Sequence, residues 1–150
     1  MQETDRYFQV DLEHAEQAYR LIIPRGRILV AEDDRLIADI LRYVLTEEGY
    51  QVDVAHDGME AFKLASRKRY DLVSMDLGMP NCDGYGAIAA IDHSVPGLPI
   101  IVVSGRLNNN TVTDLRLHKG VKGFLDKPVD MERYLELVTD ITSSRKGSKA

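Results

Sequence analysis

Between Gly26 and Ile141 the chain alternates short apolar runs with stretches in which apolar residues recur at helical spacing. Short apolar runs bounded by turn-forming residues are typical of buried strands, and stripes at intervals of three and four are typical of helices. The runs predict five strands, at Arg27–Ala31, Gln51–Ala55, Leu72–Met75, Pro99–Ser104 and Gly123–Leu125. The stripes predict five helices, at Arg35–Glu48, Gly58–Lys68, Tyr85–Ile91, Val112–Lys119 and Met131–Ile141.

Strict alternation of strands and helices predicts an α/β fold in which helices cover both faces of a parallel sheet. Right-handed crossover connections leave a doubly wound sheet as the leading topology. Sheets of this kind bind their ligands at the carboxyl ends of the strands. The residues that follow each predicted strand are therefore the first place to look for chemistry.

The first 25 residues lie outside this alternating pattern. Their apolar residues follow steps of four and three, which predicts a helix with one apolar seam, formed by Phe8, Leu12, Ala15, Tyr19 and Ile22. Three interpretations stay open: packing on the chain's own domain, self-association into a homodimer, and docking to another protein. We expect a helical extension over residues 1–25, one domain over 26–142, and a flexible polar tail over 143–150.

Composition and charge exclude several classes of protein. A chain of 150 residues with 44% hydrophobic and 29% charged residues is typical of one globular domain. A net charge of -5 and a pI near 5.3 argue against a nucleic-acid partner. Cys82 is the single cysteine, and the sequence contains neither a signal-peptide pattern nor an apolar run long enough for a membrane span. We therefore expect a cytoplasmic protein without a membrane partner.

Charged and hydroxyl side chains stand just after the predicted strands. Glu32 and Asp33 follow the first strand, Asp76 follows the third, Ser104 ends the fourth, and Lys127 follows the fifth. A cluster of carboxylate oxygens is typical of a Mg²⁺ site that also recruits phosphate. Such a site would allow a carboxylate of the cluster to attack phosphorus, while the lysine and the hydroxyl interact with the phosphoryl oxygens.

Four motifs in order and in register resemble the receiver domains of two-component response regulators, from Arg27 to about Ile141: ILVAEDD, DLVSMDLGMPNCDG, PIIVVSG and GFLDKP. The resemblance implies a flavodoxin-like sheet of strand order 2-1-3-4-5. It also implies that Asp76 accepts a phosphoryl group from a histidine kinase or a histidine phosphotransfer protein. Glu32, Asp33, Asp76 and the backbone carbonyl of Gly78 are then the residues that bind Mg²⁺.

The same resemblance implies roles beyond the acidic cluster. Lys127 pairs with the phosphoryl group, Ser104 and Phe124 form a switch, and the bond between Lys127 and Pro128 is a candidate for the cis form. Two residues depart from the common pattern. Glu32 stands where aspartate is commoner, and Gly78 offers no side chain to an attacking water.

The resulting hypothesis is a stand-alone receiver that signals to a downstream protein target through altered contacts and is not a multiple-turnover enzyme. The main alternative is a degenerate receiver that serves as an interaction or dimerisation module without phosphorylation. A hydrolase of phosphate esters is a second alternative, although the sequence has no large insertion to enclose a substrate. The chain could also be a piece of a longer protein.

Overall fold

A computed structural model describes residues 12–19, 22–81 and 83–147. Five strands are present: β1 (Arg27–Ala31), β2 (Gln51–Ala55), β3 (Leu72–Asp76), β4 (Ile100–Ser104) and β5 (Val121–Asp126). Helix α1 covers residues 12–19. The later helices are α2 (Arg35–Glu47), α3 (Gly58–Arg67), α4 (Gly84–Ser94), α5 (Asn109–Leu115) and α6 (Met131–Gly147).

All five strands are parallel and lie in the order β2-β1-β3-β4-β5. This confirms the predicted doubly wound sheet, its five helices and the helical N-terminal extension. The central pair β3 and β4 is in continuous register, with Asp76 opposite Val103. The carboxyl ends of β1, β3, β4 and β5 therefore meet at one edge, as the prediction of a site requires.

The core consists of two clusters, one on each face of the sheet. Side chains alternate along β1, so that Leu29 and Ala31 join one cluster while Ile28 and Val30 join the other. Helices α3, α4 and α5 cover the first face, and helices α2 and α6 cover the second. Every residue of β3 and of β4 is buried, as expected for strands covered on both sides.

The ends of α2 agree with the sequence signals for capping. Asp34 caps the helix, since its carboxylate accepts hydrogen bonds from the backbone N–H groups of Leu36 and Ile37. Gly49 follows the helix with a φ of 96°, a backbone conformation that side chains rarely adopt. Residue 49 is therefore a glycine for a conformational reason.

The predicted position of α5 was wrong by three residues at its start and four at its end. The predicted helix left out the preceding run of asparagines, but Asn108 is the N-cap and its side-chain oxygen accepts a hydrogen bond from the backbone N–H of Thr111. The helix therefore begins at Asn109 and ends at Leu115, well before Gly120. An asparagine side chain satisfies a free N–H at a helix start as well as it forms a turn, so composition alone did not distinguish the two.

The predicted end of α6 was also wrong, because the helix continues past Ile141 to Gly147. Part of the segment expected to be a flexible tail is thus helical, and residues 148–150 lie outside the described residues. Thr142 explains the longer helix: it is buried, and its hydroxyl is 3.0 Å from the hydroxyl of Tyr50. Within the described ranges, no helix combines the length and apolar character that crossing a membrane requires.

Helix α1 is exposed along its whole described length, so the structure does not bury its seam on the receiver. Phe8, the first predicted seam residue, lies outside the described residues. The connection to β1 is held at Arg25, whose backbone N–H donates to the carbonyl of Gly49 at 2.8 Å and whose guanidinium lies 5.0 Å from the centre of the Tyr50 ring. A groove of about 1080 Å³ separates the linker from the α2–β2 turn and β2.

Candidate functional site at the carboxyl edge of the sheet

Three carboxylates converge at the carboxyl edge of the sheet. Glu32 and Asp33 directly follow β1, and Asp76 is the last residue of β3. One oxygen from each of the three lies within 4.8 Å of the others. Glu32 and Asp76 are buried, whereas Asp33 is exposed. Parallel topology therefore brings together residues that are 44 positions apart in the chain.

Lys127 supplies the positive charge that this cluster needs. Its ammonium nitrogen lies 2.6 Å from Oε1 of Glu32 and 3.3 Å from Oδ2 of Asp76. The backbone N–H of Lys127 donates to the carbonyl of Ser104 at 3.1 Å, which ties the residue to the end of β4. The peptide bond between Lys127 and Pro128 is cis.

The electrostatics of the site are dominated by burial. Burial raises the pKa of Glu32 to about 7, and the hydrogen bonds from Lys127 and from the backbone of Asp34 only partly oppose this rise. Burial also acts to lower the pKa of Lys127, but its hydrogen bond to Glu32 and the charge of Asp76 outweigh that effect and raise it. The ammonium is thus strongly held in its charged form beside the carboxylates.

The remaining predicted site residues lie near this cluster. Ser104 is buried on β4, next to the strand that ends at Asp76, and its Oγ accepts a hydrogen bond from the backbone N–H of Arg106 at 3.2 Å. Gly78 is exposed, and its backbone N–H donates to Oδ1 of Asp76 at 3.3 Å. Phe124 lies on β5 opposite Val102.

Three features of the site were not predicted from the sequence. The direct ion pair between Glu32 and Lys127 is one of them, since the longer side chain of glutamate was considered only as a metal or water ligand. A second is Arg116, whose guanidinium lies 5.6 Å from the centre of the Phe124 ring. The third is Gly84, the first residue of α4, which packs directly on the backbone of Asp76 and Leu77. A glycine just after the helix cap Asp83 was the available signal for this close approach.

A doubly wound parallel sheet with buried carboxylates and one lysine at its carboxyl edge defines a flavodoxin-like signal-receiver protein. The chain belongs to the response regulator receiver domain family, whose sequence model matches residues 28–139. The resemblance seen in the four motifs is therefore confirmed. Receiver domains of this family are signalling modules of two-component systems.

Curated relatives agree with this assignment. The chain is 35% identical over 111 residues to the response regulator MprA of Mycobacterium ulcerans (strain Agy99). The aligned region covers 73% of the chain and 47% of MprA. It is 33% identical over 117 residues to the transcriptional regulatory protein GlrR of Escherichia coli (strain K12), which covers 77% of the chain and 26% of GlrR. The chain thus spans about half or less of the length of these relatives.

Solved structures match at the level of the whole receiver. The Francisella response regulator 1452 receiver domain is 27% identical, with a TM-score of 0.74, and the match covers 80% of this chain and 98% of that one. The receiver domain of the sensor histidine kinase PA1611 from Pseudomonas aeruginosa PAO1 is 26% identical, with a TM-score of 0.71 and coverage of 79% and 98%. That structure has a magnesium ion coordinated in its active site cleft.

Proposed function

We propose that this receiver accepts a phosphoryl group on a carboxylate oxygen of Asp76 from a phosphohistidine of a kinase or phosphotransfer protein. The observation that carries the proposal is the position of Asp76, which is buried at the end of β3 with the ammonium of Lys127 3.3 Å from its Oδ2. A buried carboxylate held beside a cation is suited to attack a phosphoryl group, because the cation offsets the charge that both reactants carry.

The residues at the site fit a Mg²⁺ ion. Three carboxylates with oxygens within 4.8 Å of one another form a compact oxygen cluster, and Mg²⁺ prefers a few carboxylate ligands with the remaining positions left to water and phosphate. Burial raises the pKa of Glu32 and the charge of Asp76 raises it further, so a bound cation would favour the charged form of this carboxylate. Asp33, Asp76 and the backbone carbonyl of the exposed Gly78 would bind the ion, with Glu32 at its edge.

Phosphorylation would proceed by one displacement. A carboxylate oxygen of Asp76 attacks phosphorus and forms a P–O bond, while the P–N bond to the donor histidine breaks. The electron pair of the broken bond stays on the imidazole nitrogen, and the imidazole takes up a proton from solvent. The product on this chain is an acyl phosphate. Bound Mg²⁺ would supply charge neutralisation for the phosphoryl oxygens.

Lys127 and Ser104 would recognise the phosphoryl group. Lys127 is already within 3.3 Å of Asp76, so a phosphoryl oxygen on that carboxylate would come within reach of the ammonium. Ser104 lies one residue beyond Val103, the residue of β4 that pairs with Asp76. Its hydroxyl oxygen accepts a hydrogen bond from the backbone N–H of Arg106. When the Ser104 side chain turns so that its hydroxyl donates to the phosphoryl group, the bond from Arg106 is lost and the segment after β4 changes its contacts.

Output would pass through β5 to the surface. Phe124 lies beside β4 at Val102, and Arg116 at the end of α5 stacks on its ring. A shift of Ser104 and its loop would alter the packing of this ring and the exposed surface around α5 that a downstream protein contacts. A local change of charge that biases a two-state element is the general form of such a switch. The chain then acts as a signalling module that catalyses only its own phosphorylation and dephosphorylation.

The test is the intact mass of the whole chain after incubation with acetyl phosphate and Mg²⁺. We expect a gain of about 80 Da, the mass of one phosphoryl group, which disappears in Asp76→Asn and in the presence of a chelator. The matched control is Asp140→Asn, which removes an exposed carboxylate on α6 and leaves the gain intact.

Two outcomes would contradict the proposal. A gain of mass that persists in Asp76→Asn would place the reactive group elsewhere. The absence of any gain, with Mg²⁺ binding measured separately by calorimetry, would favour the interaction module that works without phosphorylation.

A further inference from the structure

Asn81, in the loop that joins β3 to α4, has a backbone conformation that suits glycine better than other residues. Its φ is 68°, and in the described part of the chain no other residue except glycine has a positive φ. Asparagine tolerates this conformation more readily than most side chains do. The sequence therefore keeps a polar side chain at a position where glycine would fit at least as well, and the contacts of that side chain are the place to look for its role.

The side chain of Asn81 joins the loop to the start of α3. Its amide Nδ2 donates a hydrogen bond to Oδ2 of Asp57 at 3.1 Å. The other carboxylate oxygen of Asp57 accepts a hydrogen bond from the backbone N–H of Glu60 at 2.7 Å and so caps α3. The bond from Glu60 and then the bond from Asn81 lower the pKa of Asp57, so the acceptor is charged at neutral pH. One carboxylate thus holds both its own helix and the neighbouring loop.

Asp57 is also connected to one side of the acidic cluster. Glu32 and Asp33 form this side, directly after β1. The backbone N–H of Glu32 donates to the carbonyl of Ala55, the last residue of β2, at 2.9 Å. Asp57 follows Ala55 by two residues. The start of α3 is therefore fixed close to the segment that carries Glu32 and Asp33.

Asn81 is connected to the other side of the cluster, which consists of Asp76 and Gly78. Gly78 precedes Asn81 by three residues, and its backbone N–H donates to Oδ1 of Asp76 at 3.3 Å. Apart from Gly78 itself and its two chain neighbours, no described residue has an atom within 4 Å of a Cβ at this position. The position of Gly78 therefore depends on how the rest of its loop is held. The bond between Asn81 and Asp57 holds that loop to the opposite side of the cluster.

We propose that Asp57 and Asn81 are positioning residues for Mg²⁺, which hold the carbonyl of Gly78 in place relative to Asp33 and Asp76. The inference rests on the proposed function, because it concerns the metal ion of that site. Mg²⁺ requires nearly octahedral coordination with ligand distances of about 2.0–2.1 Å, so a ligand that moves with a loose loop binds it poorly. Neither Asp57 nor Asn81 touches the ion in this arrangement. Their bond fixes one of its ligands before the ion arrives.

The experiment is a calorimetric titration of the full chain with Mg²⁺ at constant ionic strength. Asn81→Gly removes the bond without changing the net charge, and glycine adopts the positive φ of this residue freely. We expect the affinity for Mg²⁺ to fall about tenfold, the lower end of the range for groups that support metal ligands. Phosphorylation by acetyl phosphate should slow at limiting Mg²⁺ and recover at saturating Mg²⁺, because the defect lies in binding the ion.

Exchange of the two side chains tests the bond itself. Asn81→Asp alone places two carboxylates against each other and should weaken Mg²⁺ binding, although it adds a negative charge near a cation site. Adding Asp57→Asn to this variant restores an amide and a carboxylate with the direction of the bond reversed, and asparagine still caps α3. We expect the double variant to bind Mg²⁺ more tightly than Asn81→Asp does. Removal of a negative charge would by itself have the opposite effect.

Asn108→Gly is the matched control for Asn81→Gly. It makes the same chemical change in the loop after β4 and removes one side-chain hydrogen bond, which Asn108 accepts from the backbone N–H of Thr111 at 2.9 Å. We expect its affinity for Mg²⁺ to equal that of the unmodified chain. Urea unfolding of each variant, measured in parallel, shows that the titrated protein is folded.

Three results would overturn the inference and leave the proposed function standing. They are equal Mg²⁺ affinity of Asn81→Gly and the unmodified chain, an equal loss in Asn108→Gly, and failure of Asp57→Asn to restore binding to Asn81→Asp. Absence of Mg²⁺ binding to the unmodified chain is a different result. It would remove the metal ion from the proposed function, and this inference with it.

Discussion

Gly84 offers a test of how closely the site depends on backbone packing. A Cβ placed on this residue would lie 2.6 Å from the Cα of Leu77 and 3.0 Å from the carbonyl carbon of Asp76, and closer still to the Asp76 carbonyl oxygen. Carbon atoms make favourable contact at about 3.5–4.0 Å, so Gly84→Ala requires a displacement of about 1 Å. The obstructing atoms belong to the backbone, and no side-chain rotation relieves the contact.

The expected effect follows from two opposing contributions. Overpacking of this kind costs about 1–3 kcal/mol. Alanine is the better helix former by about 1 kcal/mol in a helix interior, and by less at the first position of α4. We therefore expect the free energy of unfolding to fall by about 1–2 kcal/mol, which corresponds to a decrease in Tm of about 2–8 °C for a chain of this size. The rate of phosphorylation should fall as well, since Asp76 is displaced.

Gly78→Ala is the matched control, because it makes the same chemical change six positions earlier, in the loop that leads to α4. Apart from Gly78 itself and its two chain neighbours, no described residue has an atom within 4 Å of a Cβ at this position. We expect urea unfolding of this variant within about 0.5 kcal/mol of the unmodified chain. Equal midpoints for Gly84→Ala and the unmodified chain would refute the reasoning, as would a greater loss of stability in Gly78→Ala.

Three further predictions concern single side chains. Lys127→Met removes the cation from its two carboxylate partners and should slow phosphorylation by acetyl phosphate about 100-fold; an unchanged rate by mass spectrometry would contradict its role. Thr142→Val should lower the free energy of unfolding in urea by about 1–3 kcal/mol, because it leaves the buried hydroxyl of Tyr50 without this partner; a neutral result would show that the bond does not hold α6. Asp53→Asn tests how stability depends on pH. Burial acts to raise the pKa of Asp53, but the hydrogen bonds from the Tyr70 hydroxyl and the Lys68 ammonium outweigh this effect and lower it. The charged Asp53 contributes about 0.5 kcal/mol or less to the free energy of unfolding, because the site is partly exposed. This contribution is present above a pH of about 4 and is lost as the pH falls through the lowered pKa. The urea midpoints of the variant and the unmodified chain should therefore differ at about pH 6 and converge below about pH 3.

The strands could be predicted because burial on both faces of the sheet leaves a simple signal, whereas their order was implied by the resemblance to receiver domains. The fourth strand was expected at Pro99–Ser104 and is observed at Ile100–Ser104, with all five residues buried. Convergence of Glu32, Asp33 and Asp76 then follows from topology, because the ends of parallel strands meet at one edge. Local sequence patterns and fold topology were sufficient for both results.

Contacts between distant residues could not be predicted in this way. The bond between Tyr50 and Thr142 joins residues 92 positions apart, and the helix that it stabilises was predicted to end one residue too early to include it. The ion pair between Glu32 and Lys127 forms because the glutamate side chain is long enough to reach the lysine from its position after β1. Both the side-chain length and the backbone position therefore determine the distance. Sequence identifies the members of such pairs, but the distances that select one pairing come from the packed structure.

Tyr50 touches both ends of the receiver. Its ring lies under the guanidinium of Arg25, just before β1, and its hydroxyl meets Thr142 near the end of α6. The first and last parts of the domain are thus neighbours at the edge of the sheet opposite Asp76, a strand length or about 16 Å away. Domains whose ends meet tolerate circular permutation and insertion into other proteins. A short loop joining the two ends, with new termini opened at an exposed turn, should therefore give a chain that still folds and keeps its acidic pocket unobstructed.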